Sequence, residues 1–173
     1  MTALAQSRAR GSLFPPIELE SSHGKQRLVF APGRVTLAFY EGKEAISTNL
    51  NFKEKVRLFG LAHAPLLDFL AIGDVSKFNF EPARRAVRAF VSHFASSRKI
   101  ELVLDWEGAL RKPPYGLQPG HSHIVLVDHL GHLIAHHIGN LSEGEGEAIF
   151  AQINRALHLA SPRGEALQIH LKP

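Results

Sequence analysis

Three short apolar runs, separated by two stretches with helical periodicity, limit this chain to a small set of folds. The first, Arg34 to Tyr40 (RVTLAFY), is rich in β-branched and aromatic residues, as suits a strand buried on both faces. The second, Leu66 to Val75 (LLDFLAIGDV), and the third, Ile100 to Asp105 (IELVLD), have the same character. Between the first two, Phe52, Val56 and Phe59 recur at spacings of four and three, which marks one helix face, and Pro65 ends it. Between the second and third, Pro82 suits a first helical turn, and Ala83, Ala86, Val87, Phe90, Val91 and Phe94 form one apolar stripe. Arg84, Arg85 and Arg88 lie outside that stripe, and Arg98 with Lys99 complements the negative end of the helix dipole. Such a strand–helix–strand–helix–strand order predicts a parallel core with helices on both faces.

The flanking segments add antiparallel strands. Ile17 to Glu20 and Arg27 to Phe30 surround a turn-rich stretch, Ser21 to Lys25, and predict a β-hairpin at the sheet edge. His123 to Asp128 and His132 to Ile138 read as two further strands joined at Asp128-His129-Leu130-Gly131. Glu41 to Glu44 reads as a loop, followed by three N-cap candidates, Ser47, Thr48 and Asn49. Ser142 and Glu145 form a capping-box pair that opens a last helix, whose buried face is Ile149, Phe150, Ile153, Ala156 and Leu157. Residues 1–13 are expected to be a disordered tail, residues 14–160 one domain and residues 161–173 an extension; within it Leu167 to Leu171 alternates like an edge strand. The fold class is therefore α/β, with a mixed central sheet.

A length of 173 residues suits one domain and a core that needs no disulfide or metal staple. No apolar run approaches the roughly 20 residues that span a bilayer. The opening MTALAQSRARGS has no apolar signal-like region, so the expected setting is the cytoplasm, away from membranes. A net charge of +4 favours anions, but the basic residues are scattered.

The chain has no cysteine. Thiol–disulfide exchange and thiol peroxidase chemistry both proceed by attack of a thiolate, so neither can originate in these side chains.

That absence matters because of a resemblance. Gly33-Arg34-Val35-Thr36-Leu37-Ala38-Phe39-Tyr40, then Leu102 to Gly108 with Tyr115-Gly116-Leu117, then Ile124 to Leu133, follow in the order and spacing of the redoxin (AhpC/TSA-type) branch of the thioredoxin-like superfamily. The chain resembles a degenerate member over roughly residues 15 to 158. The resemblance implies a thioredoxin-like three-layer α/β/α sandwich with an N-terminal β-hairpin. It also implies a redox site after the first core strand, and there the two family cysteine positions fall on Glu44 and Ser47. The family's cis-proline position falls on Ser122. Lys43, Asp74 and Trp106 are expected at the rim of the same cleft, with Trp106 as a possible partner anchor. The plainer reading makes Ser47 a helix cap and Glu44 a complement to the helix dipole.

Six of the eleven histidines lie between His121 and His137. His121 and His123 would share a side of an extended strand, which permits metal chelation, while His136 and His137 would face opposite sides. No cysteine, HExxH motif or close carboxylate completes such a site, so neither metal nor other cofactor is expected. The leading expectation is a non-redox domain for binding, assembly or regulation, with another protein as partner and a homodimer compatible with it. The alternatives are a non-thiol enzyme or metal protein using the old cleft or the His121–His137 cluster, and a weak nucleic-acid or phosphate binder through Lys53, Lys55, Arg57, Arg84, Arg85 and Arg88.

Overall fold

A computed structural model describes residues 11–98 and 100–161. Among these residues seven strands form one sheet: β1 (Ile17–Ser21), β2 (Gln26–Val29), β3 (Val35–Glu41), β4 (Leu67–Asp74), β5 (Leu102–Asp105), β6 (His123–Val127) and β7 (Leu133–Ile138). Three helices accompany them: α1 (Leu50–Ala62), α2 (Ala83–Arg98) and α3 (Glu143–Ala160). The strand order is β2-β1-β5-β4-β3-β6-β7. β3, β4 and β5 run parallel, and antiparallel pairs close the sheet on both sides, β1 with β2 beside β5 and β6 with β7 beside β3. The α/β class, the mixed sheet and the N-terminal hairpin stand as the sequence predicts.

The helices are distributed differently from the expectation. Val35, Leu37 and Phe39 of β3 pack with Val56 of α1 and with Ile149, Ile153 and Leu157 of α3. Leu102 and Leu104 lie on that same face, because they pair through Ala71 and Gly73 with the row of Phe39 and Glu41, and they meet Val87 and Val91 of α2. All three helices thus share one face. The cause is topological: the chain steps from β3 to β4 to β5 in one direction, and two right-handed crossovers taken in one direction put both helices on one side. The opposite face, with Ala38, Tyr40, Leu70, Ile72 and Val103, is covered by Phe14, Leu110 and Leu117. Among the described residues its third layer is the 3-10 turn Ala109–Arg111 with the segments around it.

Two smaller differences concern the stripe of α2 and the N-terminal tail. Val91 and Ala95 are buried, but Phe90 is 66% exposed and stacks on Phe94 with ring centroids 6.2 Å apart. Of the expected tail, residues 11–13 are held: Gly11 N–H donates to Leu133 O, Leu133 N–H donates to Ser12 O, and Leu13 bridges His132. The alternating Leu167 to Leu171 lies outside the described residues.

At the start of α3, Ser142 Oγ accepts from Glu145 N–H while the Glu145 carboxylate accepts from Ser142 N–H at 2.8 Å. The capping box satisfies two end groups that the helix leaves free. Ser142→Ala is expected to cost about 1 kcal/mol in urea unfolding, with an unchanged m-value.

Candidate functional site

In an open α/β sheet, ligands gather where parallel strands end. Here that edge is formed by Glu41, Asp74 and Asp105, the last residues of β3, β4 and β5. Both positions matched to the family's cysteines lie in the loop after β3. Glu44 is exposed, and its carboxylate accepts from Lys77 Nζ at 3.0 Å. Its own backbone N–H and Lys77 hold the Glu44 carboxyl below the ordinary carboxylate range. A Cβ placed on Gly120 would lie 3.8 Å from Glu44 Oε1, so this side chain lies against the segment leading to Ser122. Ser47 is exposed, as is Lys43.

Neither Glu44 nor Ser47 serves the helix as expected. α1 begins at Leu50, after turns that run from Lys43 to Asn49, and its first turn holds no acidic residue. The N-cap position belongs to Asn49, with φ of 60°, a left-handed conformation that asparagine tolerates better than most residues. Its side chain does not cap α1. Nδ2 donates to Gly139 O at 2.9 Å and Oδ1 accepts from Leu141 N–H at 2.8 Å, which ties the start of α1 to the approach to α3. A cleft of about 680 Å³ lies there, lined in part by Asn49, Asn51, Lys55, Asn140, Ser142 and Glu147.

Behind Glu44 the structure closes on a polar cluster that the sequence did not announce. Ser122 is buried, and its hydroxyl donates to Glu41 Oε1 at 2.5 Å. Lys53 Nζ donates to Glu41 Oε2 at 2.6 Å and to Ile46 O at 2.9 Å. Burial raises the Glu41 carboxyl, and the bonds from Lys53 and Ser122 offset that only in part. The cluster joins β3, α1 and the entry to β6, at the residue to which the resemblance assigns the family's cis-proline. The two cis peptide bonds among the described residues, Glu81–Pro82 and Pro113–Pro114, lie elsewhere.

Asp74 and Trp106, expected at the rim, are turned inward. Asp74 Oδ1 accepts from the Ser76 hydroxyl at 2.7 Å, and Arg111 Nη1 lies 4.0 Å from Asp74 Oδ2. Trp106 is 5% exposed and packs with Val75 and Val91. The Arg84 and Arg88 guanidinium groups lie 4.9 and 5.5 Å from its ring, and Arg88 also grips Glu20 at 2.7 and 2.8 Å. This cation–π stack accounts for two of the basic residues that could have met an anion.

On the helix-free face a second polar row crosses the sheet. Asp74 and Asp105 are register partners on β4 and β5, and Tyr40 pairs with His123 across β3 and β6. Asp105 is fully buried and accepts from Ala109 N–H at 2.8 Å and Leu110 N–H at 2.9 Å; burial nevertheless raises its carboxyl. Burial, then the nearby Asp74 carboxylate, pushes the Tyr40 hydroxyl upward. At the far end His123 Nδ1 meets His136 Nε2 at 2.9 Å, and burial lowers the His123 imidazole.

β6 begins at His123, so His121 is not part of the strand, although the two ring centroids stand 6.5 Å apart. Both His123 nitrogens are engaged, Nδ1 with His136 and Nε2 with Gln118. His137 turns away from His136, toward Asn140 O. Among the described residues no group of three or more His, Asp or Glu side chains converges on a point that could hold a metal ion.

No family model matches the chain, and no curated protein matches it. Solved structures do. A thiol:disulfide interchange protein DsbE from Chlorobium tepidum superposes with a TM-score of 0.62 at 17% identity, over 86% of this chain and 98% of that one. The thioredoxin domain of a thiol-disulfide oxidoreductase from Bacteroides vulgatus gives 0.56 at 16% identity, over 84% and 99%. BsSco, of the Sco family of cytochrome c oxidase assembly proteins, gives 0.55 at 14% identity, over 89% and 99%. The fold is thioredoxin-like, and it is built here without a single cysteine. Among the described residues no helix is long and apolar enough to cross a membrane.

Proposed function

We propose that this chain is a redoxin-type domain of the AhpC/TSA kind that has lost its redox chemistry and serves in binding, assembly or regulation, with another protein as its partner. The observation that carries the reading is the pairing of a thioredoxin-like fold with a cysteine count of zero. What occupies the corresponding ground supports it. Glu44 is bound to Lys77, and Ser122 is bound to Glu41. Neither carboxylate nor hydroxyl can cycle electron pairs as a thiol–disulfide couple does. The start of α1 is also displaced beyond Ser47, so the positive helix end that acidifies a thiol in such sites is not presented there.

Surfaces suited to contact support the binding half of the proposal. Phe80 and Phe90 stand more than half exposed, and the cleft between the starts of α1 and α3 offers amide and charged side chains together. Aromatic residues supply much of the energy of protein–protein contacts. The cytoplasmic setting expected from the sequence stays part of the proposal.

The test is a pair of turnover assays on the purified, untagged protein, insulin disulfide reduction with dithiothreitol and peroxide consumption with a thiol donor. Both are expected to run at the buffer rate. Installing Glu44→Cys with Ser47→Cys is expected to yield thiols that titrate near the ordinary 8.5 and stay slow. Turnover by the native chain above the buffer rate would refute the proposal.

A further inference from the structure

The segment from Gly116 to Gly120 crosses the helix-free face of the sheet, and its fastening is unusual. Gly116 and Gly120 have φ of 66° and 81°, so both ends turn in the left-handed region that favours glycine. Between them Leu117 is a buried plug, with its N–H donating to Leu110 O at 2.9 Å. Gln118 is fastened to the sheet by one atom, His123 Nε2, which lies 3.0 Å from the Gln118 nitrogen and 2.8 Å from its carbonyl oxygen. The other nitrogen of the same ring lies 2.9 Å from His136 Nε2, and the two imidazoles stack with planes 19° apart.

We propose that the His123–His136 pair is a proton-operated latch that holds the Leu117–Gln118–Pro119 flap closed and releases it in mild acid. The geometry dictates the proton count. A contact between two ring nitrogens at this distance holds one hydrogen between them. With both rings neutral, either His136 donates to His123 and His123 donates to Gln118 O, or His123 donates to His136 and accepts from Gln118 N–H. One added proton keeps the nitrogen–nitrogen contact but puts a charge on a pair of which the His123 ring is fully buried and His136 half-buried. A second aims two N–H groups at each other, and the contact breaks. The groups around His123 do not relieve this: Tyr40 faces it from β3 with centroids 6.1 Å apart, and His121 of the flap's own flank lies at 6.5 Å. The carboxylates of that row, Asp74 and Asp105, lie beyond Tyr40 on β4 and β5. Once the flap lifts, both rings meet water and take protons at their ordinary values near 6.5.

The sign follows from linkage. The open form binds more protons than the closed one, so opening is suppressed above about pH 6.5 and grows below it, by about tenfold per pH unit for each proton refused. The device does not depend on the proposed binding role, since it concerns only how this face is covered.

Amide hydrogen exchange by NMR between pH 7.5 and 5.0, with rates divided by their intrinsic values, tests the latch. Protection at Leu117 and Gln118 is expected to fall at least tenfold per unit below about pH 6.5. That of Phe39 in β3 is expected to change less than tenfold over the whole range. His136→Gln is expected to leave a shallower fall and His123→Gln none, whereas His137→Gln, on the opposite face, keeps the native profile. If His123→Gln does not fold, the slope of His136→Gln decides alone. Flat protection at Gln118 in the native protein, loss that keeps pace with Phe39, or an undiminished slope in His136→Gln would each overturn the proposal.

Discussion

Glu41→Ala is expected to lower the unfolding free energy by about 3 kcal/mol in urea titrations at pH 7. The loss comes from what the change strands. Lys53, whose side chain is only 17% exposed, keeps its bond to Ile46 O but loses its counter-charge, and the buried Ser122 hydroxyl loses its acceptor. The raised Glu41 carboxyl shows that the ion pair itself sits at a desolvation cost. Removing both charges in a shape-preserving way, Glu41→Leu with Lys53→Met, should therefore recover most of the loss. A double variant as unstable as the sum of the singles would show that the pair contributes no coupling.

Asp105→Ala is expected to cost a similar amount, about 3 kcal/mol, for a different reason. Two backbone N–H donors, of Ala109 and the fully buried Leu110, lose their acceptor when the carboxylate goes. Asp105→Asn keeps one acceptor oxygen and is expected to lose about half as much. The same denaturant series reads both variants; equal losses for Ala and Asn would mean that charge, and not acceptor count, organises the Ala109–Arg111 turn.

The sheet was legible because burial on both faces demands continuous apolar runs. The run read as a strand from Arg34 to Tyr40 stands in the structure as β3, Val35–Glu41, shifted by one residue at each end. Ser142 and Glu145 gave the start of α3, since a capping box is a local, reciprocal pattern. α2 was half legible: periodicity placed Phe90 in the stripe, but only the narrower row through Val87, Val91 and Ala95 reaches a sheet that is just four residues long at β5. The Glu41–Lys53–Ser122 cluster was not legible. Glu41 reads as a loop residue and Lys53 as a solvated helix charge, and only the crossover brings them to Ser122, 81 residues away from Glu41 along the chain. The positions that the resemblance assigns to the family's cysteines could be counted from Tyr40, whereas the late start of α1 depends on Asn49 reaching across to Gly139 and Leu141.

The short run of residues 11–13 along β7 bears on how this molecule keeps to itself. An outermost strand with free backbone groups is a template on which other chains can assemble. Here Gly11, Ser12 and Phe14 already occupy amide and carbonyl groups from Gly131 to Leu133. The protein spends a stretch of its own backbone as a selvedge over Gly131 to Leu133, the corner at which that outer strand begins.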